Sequence, residues 1–500
     1  MLTLIGTVSE TVKQSLMRFV ENDLKSNPDT LSGGLISELS GGLEASLAEA
    51  AQAGLKAFLE QFDSNAEQIE RDGRSYRLKE ASSCKKFLTV FGEIEVARRY
   101  YHCSSGGTGI VPLDERWAMQ GRYATPEVVE HVLWASALLV PGDLAQTCAR
   151  MCRFVPSPSC IQDIIRRDAA AMATMLEAEP GGQACRGIEV PAQTEVFVAS
   201  LDGANVLLRE KGVKRGRPAQ RPGLKQHYRK KGNANRADGI ARAPDAQNPS
   251  SYKNAMVGSF SFYTRVDGII DIESGAEGIV PERLRSIYCA RMPEDNATGF
   301  KAEFEALLAT IDKQISDEVT RIILIDGARP LWNYVENHAL FKGCRLLLDF
   351  FHGSEHLSMA AEALFGKDNT KATSWYEKWR FKLKYEQGAV DGILRSIAHY
   401  QGKLRIPKGR RKDLEREIVF FQRNKARMNY HAHIANGWPI GSGPVEAACK
   451  TIVKARLCQS GMRWSRQGGR NILALRVLNR SNQWDQAWKQ YRSQHWQASA

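Results

Sequence analysis

The chain has 500 residues, a formal net charge of +13, 25% charged residues and ten cysteines. That length exceeds what one ordinary core organises, so two to four domains are expected. The positive excess favours a polyanionic partner, nucleic acid or an anionic membrane, and says nothing of the fold. The opening "MLTLIGTVSETVKQSLMRF" lacks a basic segment followed by an apolar one, and no later run approaches bilayer length, so a cytoplasmic protein is expected. The cysteines do not read as a disulfide framework, which suits small secreted domains. Their one cluster, Cys148, Cys152 and Cys160, has neither a CxxC pair nor histidines at zinc-finger spacing.

Residues 1–73 read as helices, with apolar positions at helical spacing in "SETVKQSLMRFVENDL" and "LEASLAEAAQAGLKAFLEQF". From 74 the pattern alternates across a Phe91-Gly92 turn in "FLTVFGEIEVARRYYHC", which predicts antiparallel strands. Residues 125–175 return to helices. There "GDLAQTCARMCRFVPSPSCIQDIIRRDAA" has the outline of a helix-turn-helix with Arg166 and Arg167 toward DNA, or of two packed helices. A linker is expected near 177–187, closing a second region over 74–187.

Strands and helices then mix. Strands are predicted at 194–203, 254–268, within "RLRSIYCARM", at 319–327 and at 344–353, with a helix over 297–315 and another in "PLWNYVENHAL". A helical insertion fills 354–436. The expected class is α+β and multidomain, with the mixed region over 188–480 and a C-terminal helix over 481–500.

Two apolar runs lead into Asp-Gly pairs, Asp202 in "VASLDGA" and Asp326 in "ILIDGA". A carboxylate at the end of a buried strand, next to a glycine that admits a ligand to the backbone, is where an α/β sheet commonly keeps its site. A third acid, Glu446, lies in "GWPIGSGPVEAACKTIVKARLCQSGMRWS" among Lys450, Lys454, Arg456 and Arg463. Gly443 at the N-cap and Pro444 at the first helical position would start a helix there, with Glu446 at the positive end of its dipole. Three carboxylates in a basic chain suit two-metal phosphoryl transfer: Mg²⁺ (or Mn²⁺) takes oxygen ligands, and a pair about 3.5–4 Å apart serves both the attacking and the leaving oxygen.

"SLDGA", "LIDGARPLWNYV" followed by "LLLDFFHGSEHL", and above all "GWPIGSGPVEAACKTIVKARLCQSGMRWSRQGG" resemble the DDE-type insertion-sequence transposases of the bacterial ISKra kind, relatives of the Mutator-like transposases. The resemblance covers roughly 80–480. It implies a ribonuclease H-like catalytic domain interrupted by the helical insertion, with Asp202, Asp326 and Glu446 as catalytic acids and ligands of two Mg²⁺ ions. Asp349 and His352 match the D-x-x-H element of the Mutator-like group and are expected to support the site; Asp349 is also the alternative second acid. Further implications are cleavage of element ends, joining to target DNA, double-stranded DNA as partner, an assembly of two or more copies, and a nucleoid-associated bacterial location.

The segment 209–231, within a basic loop over 209–254, has ten Lys or Arg against the single acid Glu210. It reads as a loop that orders on a phosphate backbone, through Lys214, Arg215, Arg217, Arg229, Lys230 and Lys231. Its "RGRP" also resembles an AT-hook core. Lys450 shares a helix face with Glu446 and is expected to pair with it or to hold a phosphate. Lys454, Arg456 and Arg463 are further candidate DNA contacts, with Trp464 stacking on a nucleotide, while Trp484, Trp488 and Trp496 read as packing residues. "HGSEH" fits an inverted zinc-protease pattern through His352, Glu355 and His356, without a third ligand. Two alternatives stand beside transposition: a nuclease of the same fold without strand transfer, and a non-catalytic DNA-binding protein derived from a transposase.

Overall fold

Helical spacing in the first sixty residues and period-two alternation after them produce the elements the sequence predicts. The computed structural model describes residues 2–21, 33–103, 105–178, 186–209, 252–271 and 275–497. The described chain divides into two compact units, 1–172 with 485–500, and 173–484. The divisions expected at 73/74 and 187/188 thus give way to one near 172, and the C-terminal segment groups with the N-terminal regions.

In the first unit, α1 (Leu2–Phe19) and α2 (Gly33–Glu60) precede a three-stranded antiparallel sheet of β1 (Gln68–Arg71), β2 (Arg74–Thr89) and β3 (Gly92–Cys103). The β2–β3 turn falls at the predicted Phe91-Gly92, where Gly92 has φ +117°, a value that favours glycine. Alternation buries Phe87, Ile94 and Val96 against Leu59 and Leu113. Helices α3 (Pro112–Arg116), α4 (Pro126–Ser136), α5 (Pro141–Met151) and α6 (Pro158–Ile164) follow, and a π-helical turn (Ile165–Ala169) joins α6 to α7 (Ala170–Ala178). The helix-turn-helix outline is corrected: residues 152–157 separate α5 from α6, longer than the usual three or four-residue turn. Arg166 pairs with Asp163 and Arg167 with Asp168.

Asp168 explains why the C-terminal segment groups here. Its fully buried carboxylate accepts hydrogen bonds from Arg122 (2.7 Å), Arg167 and the Tyr491 hydroxyl (2.7 Å), and Arg122 lies 3.9 Å from the centre of the Trp496 ring. Trp484 and Trp488 are buried, in the packing role expected of them.

In the second unit, β4 (Val196–Leu207), β5 (Tyr252–Asp271), β6 (Ala276–Arg291), β7 (Thr320–Ile325) and β8 (Arg345–Leu348) form one sheet in the order β6-β5-β4-β7-β8. The first three strands pair antiparallel, and β7 and β8 run parallel to β4. Helix α8 (Thr298–Asp312) buries Phe300, Phe304, Leu307 and Ile311 on the sheet, with Phe304 stacked 4.7 Å from Phe260. α9 (Arg329–Asn337) links β7 to β8. The helical insertion is α10 (Phe350–Phe365), α11 (Thr370–Tyr385), α12 (Ala389–Lys403), α13 (Lys408–Asn424) and α14 (Tyr430–Ala435). After the Gly-rich turn come α15 (Gly443–Ala448), a π-helical stretch (Cys449–Lys454), α16 (Ala455–Leu457) and α17 (Arg466–Arg480). The last helix, α18 (Trp484–His495), belongs with the first unit from Asp485 onward.

Two of the boundaries that differ from expectation lie next to the candidate acids. β8 stops at Leu348 instead of running to 353, because the Asp349 side chain caps α10 by accepting the His352 N–H (2.7 Å), as an N-cap aspartate does. β4 continues past Asp202 to Leu207, because β5 keeps pairing with it as far as Tyr252. No described helix is long and apolar enough to cross a membrane.

Replacing Asp168 with Ala leaves Arg122, whose side chain is largely buried, without its anion, and removes the partner of exposed Arg167. Chemical denaturation should show a loss of about 3–5 kcal/mol, and Tyr491→Phe, which removes one hydrogen bond, a loss of about 1 kcal/mol.

Candidate active site

The site grows from strand register. β4 and β7 pair in parallel from Val196↔Thr320 to Ala199↔Ile323, and β7 and β8 from Ile322↔Arg345 to Ile325↔Leu348. Residues in register on neighbouring parallel strands lie side by side. Continued beyond the last pairs, the first register sets Asp202 beside Asp326, and the second sets Asp326 beside Asp349. Three separate sequence segments thus deliver three aspartates to one level, where β7 and β8 end and β4 runs on.

The three are used differently. Asp349 is 1% exposed, and both of its oxygens are taken: one accepts from His352 N–H, the other from Ser442 N–H at 2.6 Å. The Phe350 N–H donates to the Ile440 carbonyl (3.0 Å). Residues 440–442 are therefore stitched to the start of α10, and this fixes where α15 begins. In this geometry Asp349 is a positioning carboxylate: it is buried and holds two backbone N–H groups, whereas Asp326 is half-buried.

Asp326 is half-buried. It accepts the Ala328 N–H (3.0 Å), and its carbonyl accepts the Trp332 indole N–H (2.7 Å). Gly327 beside it leaves room for two rings: a Cβ built there would lie 2.7 Å from His352 Nε2 and 2.9 Å from Phe420 Cε2. His352 thus sits against the backbone next to Asp326, with Nδ1 3.8 Å from Glu355.

Glu446 stands in the first turns of α15. The helix starts one residue earlier than expected, with Ser442 as N-cap and Gly443 as the first helical residue. The Ser442 hydroxyl does not cap the backbone; it donates to Glu446 Oε1 (2.9 Å). Val445, Ala448, Cys449, Ile452 and Val453 bury this helix. Cys449 donates to Asp202, and the Gly203 N–H donates to the same carboxylate at 2.6 Å. Burial raises the Asp202 carboxyl above the ordinary carboxylate range, these two donors oppose the rise, and the negative charges of Asp326 and Glu446 add to it. Burial, with Asp202 beside it, pushes the Cys449 thiol well up, so it remains a proton donor. Asp202, Asp326 and Glu446 therefore share one electrostatic environment, and no Lys, Arg or His pairs with any of them among the described residues.

As they stand, no group of three or more His, Cys, Asp or Glu among the described residues converges to hold a metal ion. Each of the three carboxylates is turned to a donor of its own chain, so closing them on an ion requires side-chain rotation. The donor set, all carboxylate oxygen with unrelieved mutual repulsion, fits a hard divalent cation. The inverted zinc motif does not assemble: Glu355 points to solvent, 74% exposed, while His356 is bound to buried Glu417 (2.6 Å) and stacked 3.5 Å from Phe420.

The remaining candidates scatter. Lys450 is exposed and falls in the π-helical stretch, which changes the helix phase; it forms no ion pair with Glu446 among the described residues. Lys454 and Arg463 are exposed. Arg456 is corrected as a DNA contact: it is 2% exposed, with its guanidinium 5.3 Å from the Trp464 ring. Trp464 is half-buried, its indole N–H donates to the Leu457 carbonyl, and its backbone bonds to Leu207 and Arg209 at the end of β4. Lys214, Arg215, Arg217, Arg229, Lys230 and Lys231 lie outside the described residues. Cys449 and Phe420 were not foreseen; Cys449's spacing of three from Glu446 was the only signal, and Phe420 had none.

Residues 30–179 are similar to an uncharacterised protein family (UPF0236). The match covers under a third of the chain, lies outside β4, β7, β8 and α15, and its description names no activity. No curated protein matches the chain.

Two outcomes are expected in chelator-containing buffer. A carboxyl raised in the folded state costs stability above its folded pKa and nothing below its unfolded one. Asp202→Asn, which keeps an acceptor for Gly203 and Cys449, should therefore stabilise the protein by about 0.5–2 kcal/mol at pH 7–8, a gain that disappears as the pH falls below about 4. Gly327→Ala should cost about 1–3 kcal/mol by thermal or urea unfolding, since the rings of His352 and Phe420 must move.

Proposed function

We propose that this protein is a DNA transposase of the DDE kind, which cuts the ends of an insertion sequence and joins them to target DNA. The observation that carries the reading is the grouping of Asp202, Asp326 and Glu446, two by strand register and one by a helix tied to Asp202 through Cys449 and to Asp349 through Ser442. The sheet order, three antiparallel strands followed by two parallel ones with a helical insertion before the last acid, supports a ribonuclease H-like catalytic domain. The positive charge of the chain supports a DNA substrate.

Asp202, Asp326 and Glu446 would hold two Mg²⁺ ions, which when bound supply charge neutralisation and a more acidic water. The chain's own residues do the positioning. Gly203 and Cys449 hold Asp202, Ala328 holds Asp326, and Ser442 holds Glu446, so that each acid starts from a defined rotamer. Exposed Lys450 and Lys454 lie on the helix that carries Glu446 and offer charge to a flanking phosphate. In the first step, water attacks the phosphodiester at the element end; the bond from phosphorus to the 3′ oxygen breaks, and that oxygen leaves as a 3′-OH. The hydroxyl then attacks a target phosphodiester and displaces its 3′ oxygen, so one bond is exchanged for another. Two ends must be joined in concert, which calls for at least two copies of the chain.

The test is Mg²⁺-dependent cleavage and joining of DNA carrying the element ends. Asp202→Ala, Asp326→Ala and Glu446→Ala should each lower the rate by roughly a thousand-fold or more, with DNA binding kept. Mg²⁺ should raise the melting temperature of the wild type and not of these variants. Asp349→Ala should lower activity together with stability, by about 2–4 kcal/mol, because two charge-assisted hydrogen bonds are removed. Cleavage without joining would replace this reading by that of a nuclease, and binding without cleavage by that of a derived DNA-binding protein.

A further inference from the structure

The stretch that joins α12 to α13, "GKLRIPKGRRKD" (402–413), carries six Lys or Arg before its first acid, Asp413. One of them is used internally: Arg410 is half-buried and donates to the carbonyls of Glu362 and Leu364 at the end of α10. The other five, Lys403, Arg405, Lys408, Arg411 and Lys412, are exposed, and no acid pairs with them among the described residues. Nearby cations differ, since Arg416 pairs with Asp413, Lys425 with Asp391 and Arg427 with Glu336. Lys408, Arg411 and Lys412 also occupy the first turns of α13, which contain no acid before Asp413. The positive end of the helix dipole disfavours cations there, and repulsion among the five adds to the cost. An anion laid across the corner would relieve both.

The same helix reaches the acid site. Phe420 lies against Gly327, beside Asp326, and Glu417 holds His356. From Lys408 to Phe420 the axis of α13 spans about 18 Å, the length of about five base pairs.

We propose that this corner is a clamp for the phosphate backbone of duplex DNA, taking the part of the substrate that lies about five base pairs from the reacting phosphodiester. The proposal rests on DNA being the substrate. It adds a binding surface in the helical insertion, on a helix other than the one that carries Glu446. Binding there is independent of sequence, because lysine and arginine on a corner this open meet phosphates and not base edges.

The experiment measures binding of full-length protein to labelled duplex DNA over a range of salt, comparing wild type with the combined variant Lys403→Gln, Arg405→Gln, Lys408→Gln, Arg411→Gln, Lys412→Gln. The variant should bind at least tenfold more weakly at low salt. Its slope of log affinity against log salt should be shallower by about 0.9 for each phosphate that is no longer neutralised, up to about 4.5. Duplexes ending within about four base pairs of the cleavage position should abolish the difference. A second variant, Lys408→Glu with Lys412→Glu, should melt at the same temperature as wild type or higher while binding DNA more weakly, which separates weakened phosphate binding from a damaged fold. Unchanged affinity and slope in the glutamine variant would overturn the proposal, as would weaker binding accompanied by a lower melting temperature in both variants. It would also fall if the substitutions abolished binding to phosphatidylserine vesicles and left the DNA slope untouched. Because the readout is binding, a wild type that shows the expected slope but cuts nothing would sink the catalytic reading and leave this one standing.

Discussion

The second unit depends on one buried carboxylate. Asp349 accepts the N–H groups of His352 and Ser442, so a single side chain caps α10, ends β8 and anchors the turn before α15. Without an acceptor at that point two buried N–H groups would be orphaned, a cost comparable to a substantial part of a domain's stability. The helix that carries Glu446 would also lose its tie to the strand ends. Placement of Glu446 follows from a carboxylate on another strand end.

Around that anchor, the acids are arranged against their own electrostatics. Asp202 is half-buried beside two other carboxylates, and among the described residues no cation pairs with them. Backbone N–H groups, a thiol and a hydroxyl hold the side chains, and neutral donors of that kind orient a carboxylate without cancelling its charge. An arrangement that serves only stability would pair or neutralise these groups. Uncompensated charge at a sheet end is what the proposed cation site requires. The basic corner of α12 and α13 shows the opposite sign of the same tension, with cations that pair with no acid among the described residues at the positive end of a helix.

Much of this was legible from the residues alone. The turn at Phe91-Gly92, the alternation in β2 and β3, the apolar run of β7 and the helical spacing of α8 all depend on local pattern, and they appear close to where the pattern put them. Errors fell where a long-range contact decides. β4 outruns its predicted end because β5 continues beside it, and β8 falls short because Asp349 turns to Ser442, 93 residues away. The burial of Arg456 against Trp464 has the same origin: a cation in a basic stretch looks like a surface group until its neighbours are known.

Asp202, Asp326 and Glu446 were candidates on local grounds, as acids at ends of apolar runs or at a helix start, and a single chain can show that much because side-chain type and spacing are local properties. Their grouping, the division of labour between Asp326 and Asp349, and the roles of Cys449, Phe420 and Gly327 came only with the tertiary structure. Register between strands, and which oxygen of a carboxylate is already occupied, are set by pairings between residues 23 to 124 positions apart and leave no periodic trace in the sequence.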